Sequence, residues 1–254
     1  MARLSPSPGG SSPFTAPETL PQRQLSVSGP VLVVAPHPDD ETLGCGGALA
    51  LLRAQSLSVR VLVVSDGTQS HPRSRLYPGP QLRQLREAET LAALALLGVP
   101  RSHVTFLGLP DGRVPHLGLA SPGAAAAALG QCQQVVERVA PRTIFLPYQF
   151  DPHRDHRATW SLVQRAIAVL PQPPRLIEYP IWDWDLQRRQ PLNAQYQAWR
   201  LNIAPYVEIK HQAIACYRSQ TTDLIADDPT GFRLSSAMMA CFLNPWEIFL
   251  EQTP

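Results

Sequence analysis

Residues 31–52, VLVVAPHPDDETLGCGGALALL, constrain the chain more than any other stretch. The apolar run from Val31 to Val34 has the branching expected of a strand buried on both faces of a parallel sheet. Pro36-His37-Pro38-Asp39-Asp40-Glu41 follows, and then an Ala/Leu-rich segment of helical composition. An imidazole and adjacent carboxylates therefore stand where a strand ends and a helix begins. In open α/β sheets ligands bind at that edge. The two prolines stiffen the turn, so these side chains can share one fixed geometry, as a metal site requires.

The rest of the chain repeats this strand-then-helix rhythm. A second apolar run, 57–64, ends in Ser65-Asp66-Gly67-Thr68 and completes a βαβ unit with an expected right-handed crossover. Residues 68–81 read as a loop long enough to line a pocket. Helices are expected over 82–97, 124–139 and 158–170, and strands over 104–107, 143–146 and 175–180. Beyond Trp182 the alternation weakens. Residues 187–199 show no clear period, 204–208 and 210–218 suggest one more strand and helix, and 244–252 form a closing segment. The pattern predicts an α/β fold, Rossmann-like, with a mostly parallel sheet and helices on both faces. Residues 1–28, rich in Pro, Ser and Gly, are expected as a flexible arm ahead of a single domain over 29–254.

Composition narrows the function classes. The 254 residues are 44% hydrophobic and 17% charged, and the net charge of +2 gives no argument for nucleic acid as a partner. No 18-residue apolar run and no signal-peptide core appear, so a cytoplasmic protein without a membrane span is expected. Cys45, Cys132, Cys216 and Cys241 are scattered without a CxxC and read as small core residues in a reducing compartment. Oligomeric state leaves no interpretable trace.

A second cluster, Asp151-Pro152-His153-Arg154-Asp155-His156, follows the strand at 143–146. In a parallel sheet it emerges at the same edge as His37–Glu41, although more than 110 residues separate them. Catalytic Zn²⁺ takes three N/O ligands and keeps one position open; His37, Asp40 and His156 make such a set. Asp39 cannot readily point the same way as Asp40 and is left to accept a proton from water, while His153 would donate to a developing oxyanion. Taken alone, the acidic triplet also fits a helix N-terminus favoured by the dipole. The two clusters on one sheet edge are the argument for metal. Gly44-Cys45-Gly46-Gly47 falls inside the expected helix and reads as close packing, not a phosphate loop. His71 reads as a solvated loop residue, and Trp182, Trp184 and Trp246 as buried aromatics.

Ala35–Glu41 (APHPDDE) and His153–His156 (HRDH) resemble the two signature motifs of the PIG-L/LmbE family of zinc-dependent N-deacetylases, which act on N-acetylglucosamine-type sugars. Ser65–Thr68, Arg86-Glu87-Ala88-Glu89, Leu97-Gly98-Val99 and residues 106–112 (FLGLPDG) extend the likeness, with a looser match at Tyr217-Arg218-Ser219-Gln220. The resemblance implies a zinc ion on His37, Asp40 and His156, with Fe²⁺ as an alternative that the same donors accept. It further implies Asp39 as general base, His153 as stabiliser of the tetrahedral intermediate and Asp155 orienting a neighbouring histidine. Arg86 and Asp111 would contact sugar hydroxyls. The implied substrate is a small-molecule or glycan N-acetylated amino sugar.

Three other functions compete. A nucleotide-dependent transferase using Gly44–Gly47 would need its glycines directly after the strand, where the acidic turn would repel phosphate. An iron(II) oxygenase shares the two-His-one-carboxylate set, but its usual double-stranded β-helix scaffold conflicts with the α/β alternation. A catalytically silent sugar-binding module would not need Asp39.

Overall fold

The computed structural model describes residues 17–117, 121–185 and 191–253. A two-residue edge strand, β1 (Gln22–Arg23), precedes the fully buried β2 (Val31–Ala35). Helix α1 (Asp40–Ala54) leads to β3 (Val59–Ser65), and α2 (Gly79–Leu96) to β4 (Val104–Leu109). Helix α3 (Pro122–Val139) then brings the chain back to the other side of β2, where β5 (Thr143–Pro147) pairs with it in parallel. Helix α4 (Arg154–Ala166) connects β5 to β6 (Arg175–Tyr179). The last part contributes β7 (Tyr196–Asn202), three helices, α5 (Val207–Ala215), α6 (Arg218–Thr221) and α7 (Ser236–Phe242), and β8 (Trp246–Gln252).

The sheet runs β1-β7-β8-β6-β5-β2-β3-β4, and β8 alone is antiparallel to its neighbours. The winding reverses between β2 and β5. Chains leaving these two strands turn in opposite senses and open a crevice at the carboxyl edge. Both clusters read from the sequence sit at that reversal.

The pleat divides the core. Val31, Val33, Val61, Val63 and Phe145 pack on one side with Leu43, Leu49 and Leu52 of α1. Leu32, Val34, Leu62, Val64, Ile144 and Leu146 face the other side, against Val135 and Val136 of α3 and Leu162 and Val163 of α4. Apolar residues therefore fill both faces of the central strands, which is why these strands read as continuous apolar runs. Helix α1 lies close to its neighbours because of its glycines. A Cβ at Gly44 would collide with the Tyr179 ring, and one at Gly47 would lie 2.6 Å from Ile203. From β8, the buried Glu247 accepts hydrogen bonds from Gly47 N (2.7 Å), Ala48 N (2.8 Å) and Lys210 Nζ (2.7 Å). One carboxylate thus ties α1, α5 and β8 together.

Several expectations need correction. Residues 204–208 are not a strand: a 3₁₀ turn at Ala204–Tyr206, set by Pro205, runs directly into α5. Strand β7 of the mixed half begins in the polar region where no period is legible. Its exposed Gln197 and Asn202 and half-buried Arg200 mask burial on both faces, Tyr196 and Ala198 on one and Trp199 and Leu201 on the other. Helix α4 begins at Arg154, not at 158, which places His156 in its first turn. Of the N-terminal arm, residues 1–16 lie outside the described residues. The remainder is tied to the sheet through β1 pairing with β7, and Leu25 is buried. His71 is buried rather than solvated, against Gly231. No helix among the described residues is long and apolar enough to cross a membrane.

Removing one partner of a buried ion pair leaves an uncompensated charge, at a cost of about 3–5 kcal/mol. Glu247→Ala is expected to lower the unfolding free energy by about that amount in urea denaturation. A Lys210→Met, Glu247→Leu double variant should lose markedly less; equal losses would show that the ion pair does not dominate this contact.

Candidate active site

The turn after β2 holds an unusual backbone. Asp39, the residue before α1, has φ 127° and ψ −29°, in the region that favours glycine. A non-glycine residue held there costs about 1–3 kcal/mol and persists only where its surroundings fix it. Neighbouring groups do so here. Asp39 N donates to Glu41 Oε2 at 3.2 Å, and Arg86 of α2 donates through Nη2 to Asp39 Oδ2 at 3.0 Å and to the Pro38 carbonyl oxygen. Arg86 Nη1 adds a bond to Gly67 O at 3.2 Å. Gly67 is itself at φ +67°, and a Cβ there would stand 3.0 Å from the Arg86 side chain.

Asp40 turns the other way, as the helix start dictates, and meets two histidines. His37 Nδ1 lies 3.1 Å from Asp40 Oδ2, His156 Nε2 lies 3.2 Å from the same oxygen, and the two nitrogens are 3.2 Å apart. These three atoms form a nearly equilateral triangle. Around a tetrahedral cation with bonds of 2.0–2.2 Å, adjacent donors stand about 3.4 Å apart. The sequence-derived ligand set therefore fits a metal. Ligand atoms of His37, His153 and His156 also lie within 4.8 Å of one another, as do those of His37, Asp111 and Asp155. In the second group His37 turns its opposite nitrogen to the carboxylates, so they orient its ring and are not a competing ligand set.

The outer nitrogens are oriented by carboxylates. His37 Nε2 is 3.2 Å from Asp111 Oδ1 and 3.5 Å from Asp155 Oδ2. His156 Nδ1 is 3.2 Å from Asp151 Oδ2, within charge-pairing range although the angle falls short of a hydrogen bond. With a proton on each outer nitrogen, the inner ones present lone pairs to the triangle. The charges agree. Burial alone would raise the Asp40 carboxyl, but His156 and His37 hold it well below the usual carboxylate range. Burial would lower His156, yet Asp151 and Asp40 push it up to about 9. The crevice demands positive charge at this point, which a bound cation supplies when it displaces the proton.

His153 caps α4: its Nδ1 accepts from Asp155 N at 3.2 Å, which leaves the proton on Nε2. Burial, with His156 and His37 beside it, pulls His153 down to about 4, so it is a neutral donor at pH 7. Its ring stacks on Trp182, with centroids 5.9 Å apart and planes at 21°. Burial pushes the Asp39 carboxyl up to about 8, and Arg86 pulls against that shift.

His37, Asp39, Asp40, Arg86, Asp111 and His153 all line one cavity of about 260 Å³. Its opposite wall is apolar, from Leu43, Trp182, Phe232, Leu234, Met238 and Phe242. Trp182, read from the sequence as an ordinary buried aromatic, is part of this wall. His156 and Asp155 stand behind the cavity, fully buried. Asp155 receives Gly112 N at 2.6 Å and Val114 N at 3.2 Å and so pins the loop that carries Asp111. Arg86 directs its terminal nitrogens to Asp39 and two carbonyls, and Asp111 directs its carboxylate to His37 and Gln69 N (2.8 Å). Asp151 has no individual role in the sequence reading. It is the carboxylate beside His156 and also accepts from His153 N at 2.8 Å and Trp182 N at 3.1 Å. Its place two residues before His153, in the turn that ends a buried strand, is the available signal.

The family model of GlcNAc-PI de-N-acetylases, PIG-L, matches residues 32–167, which include both clusters. The chain belongs to the PIG-L family. It is 32% identical over 167 residues to a 1D-myo-inositol 2-acetamido-2-deoxy-alpha-D-glucopyranoside deacetylase of Mycobacterium sp. (strain KMS), covering 56% of this chain and 52% of that one. It is 24% identical over 196 residues to the diacetylchitobiose deacetylase of Thermococcus kodakarensis, covering 75% and 69%. The crystal structure of a conserved protein from Thermus thermophilus superposes with a TM-score of 0.54 at 31% identity, over 74% of this chain and 78% of that one. The chain spans about half the length of the mycobacterial relative. The PIG-L match covers the parallel half of the sheet and stops before β6; β7, β8 and most of the apolar wall lie beyond it.

A carboxylate that orients a ligating histidine is worth about 10–100-fold in metal affinity. Asp151→Asn is expected to weaken Zn²⁺ binding by about that factor in competition with a chromophoric chelator. His156→Ala should abolish stoichiometric binding altogether. Full metal content in His156→Ala would remove His156 from the ligand set.

Proposed function

We propose that this protein is a metal-dependent hydrolase that removes the acetyl group from an N-acetylated amino sugar of the N-acetylglucosamine type. The observation that carries the reading is the His37–Asp40–His156 triangle, with a constrained carboxylate, Asp39, and a neutral imidazole donor, His153, on the same cavity. The names of the family and of both curated relatives share an N-acetylated amino sugar. Zn²⁺ is the proposed cation, held by His37, Asp40 and His156. When bound, it supplies Lewis acidity that lowers the pKa of water and polarises a carbonyl.

The remaining chemistry falls to the chain. Arg86 holds Asp39 Oδ2, and Oδ1 has no hydrogen bond among the described residues. Asp39 is thus positioned to take the proton of the attacking water, and the resulting carboxylic acid can return it to the departing amine nitrogen. Its raised pKa suits both directions, since a base works best near the operating pH. His153 donates from Nε2–H to the carbonyl oxygen as negative charge develops there. Asp155 fixes the loop of Asp111, and Asp111 fixes His37. In this reading Arg86 and Asp111 support the machinery and also border the space where sugar hydroxyls would lie. Trp182 and Phe232 offer flat apolar surface to the C–H face of a sugar ring.

The test is release of primary amine by the Zn²⁺-loaded protein from a panel of N-acetylglucosamine derivatives. Asp39→Asn is expected to retain its metal and to lose about 10²–10⁴ in kcat. An Asp39→Asn protein as active as its parent would eliminate the proposed base. Metal-loaded parent protein that releases amine from no member would eliminate the deacetylase reading and favour a binding protein.

A further inference from the structure

The match at Tyr217–Gln220 is a sequence motif to which the mechanism gives no task. Gln220, in α6, is fully buried, yet it is among the residues that line the cavity. Its Nε2 donates to Ser219 Oγ at 3.0 Å. Its Oε1 has no hydrogen-bond partner among the described residues.

The amide cannot simply be turned over. Ser219 gives its own hydroxyl proton to Glu89 Oε2 at 2.6 Å and its backbone N–H to Glu89 Oε1 at 2.7 Å. With that proton committed, Ser219 Oγ can only accept, so the Gln220 atom facing it must be the NH₂ group. Glu89 of α2 therefore dictates, through Ser219, that the carbonyl oxygen is the unpaired end of the Gln220 amide, in a residue that lines the cavity. A buried acceptor left unpaired costs about 1–3 kcal/mol, and a ligand in the adjoining cavity can satisfy it. The backbone agrees with a fixed position: Leu234 N donates to Gln220 O at 2.8 Å, tying α6 to the apolar wall.

We infer that Gln220 is a specificity-determining residue whose Oε1 accepts a hydrogen bond from one hydroxyl of the bound sugar, a role that rests on the amino-sugar reading above. The Glu89–Ser219 pair acts as its positioning support. A site built to pair a substrate hydroxyl discriminates against the analogue that lacks it.

The experiment uses the metal-loaded enzyme and the best N-acetylated sugar of the panel, with its singly deoxygenated forms. For the parent protein, removal of one particular hydroxyl is expected to lower kcat/KM by roughly tenfold. Gln220→Met should lose a similar factor on the intact sugar, mostly in KM, and lose nothing further on that one deoxy form. Should Gln220→Met not fold, Gln220→Asn takes its place, keeping the carboxamide but withdrawing its oxygen. A parent enzyme that treats all deoxy forms alike overturns the inference, as does a variant that loses the same factor on every one of them. Failure of the deacetylase reading looks different: the parent then releases amine from no N-acetylated sugar, and the inference falls with it.

Discussion

Burying carboxylates at the end of a sheet is costly unless positive charge or N–H groups meet them, and the carboxyl edge of β2 and β5 is organised by that requirement. Asp39, Asp40, Glu41, Asp151 and Asp155 are all buried there. Each has a distinct answer: Arg86 for Asp39, two imidazoles for Asp40, the Tyr217 hydroxyl for Glu41, and loop N–H groups for Asp151 and Asp155. The answers come from different elements, so satisfying the charges also fixes how the elements sit. In a medium of low dielectric an unanswered carboxylate would be neutralised or would unfold its surroundings. The arrangement that removes this penalty also leaves three donor atoms converging on one point.

Support reaches the site through helix α1. Its first turn carries Asp40 and Glu41, and its position depends on two features of its middle. Glycines let Tyr179 and Ile203 approach closely, and Glu247 holds the backbone at Gly47 and Ala48. Tyr179 in turn donates from its hydroxyl to Val34 O at 2.7 Å, next to the strand end that launches the acidic turn. The Gly-Cys-Gly-Gly run is therefore structural, as its position after the acidic turn suggests. It brings the second half of the chain against the first, and most of the apolar wall of the cavity comes from that second half.

What was legible in the chain followed from local rules. Continuous apolar runs at 31–34, 57–64 and 143–146 became fully or largely buried parallel strands, because both faces of such strands must be covered. The mixed edge is harder to read. Strand β7 alternates polar and apolar residues imperfectly, and β8 pairs antiparallel across a separation of about fifty residues that no local pattern encodes. The N-terminal stretch looks unattached in the sequence because its two sheet residues, Gln22 and Arg23, are polar and gain their order from strand pairing with β7 and an ion pair to Glu251 of β8.

The sequence by itself determined the donor types and their launch points: imidazole and carboxylate at two strand ends, with Asp39 and Asp40 on diverging directions of one turn. Tertiary structure alone decided the pairings. That Arg86 clamps Asp39, that Asp111 orients His37 and that Ser219, held by Glu89, sets the direction of the Gln220 amide all depend on groups meeting across 47 to 130 residues. Asp151 and His156 are close in the chain, yet they face each other only because the loop after β5 is held by N–H groups from Ile181 and Trp182. Side-chain type and strand periodicity are properties of a few neighbouring residues. Which buried charge answers which is settled only when the sheet reverses between β2 and β5 and brings their loops into one crevice of low dielectric, where few pairings are tolerated.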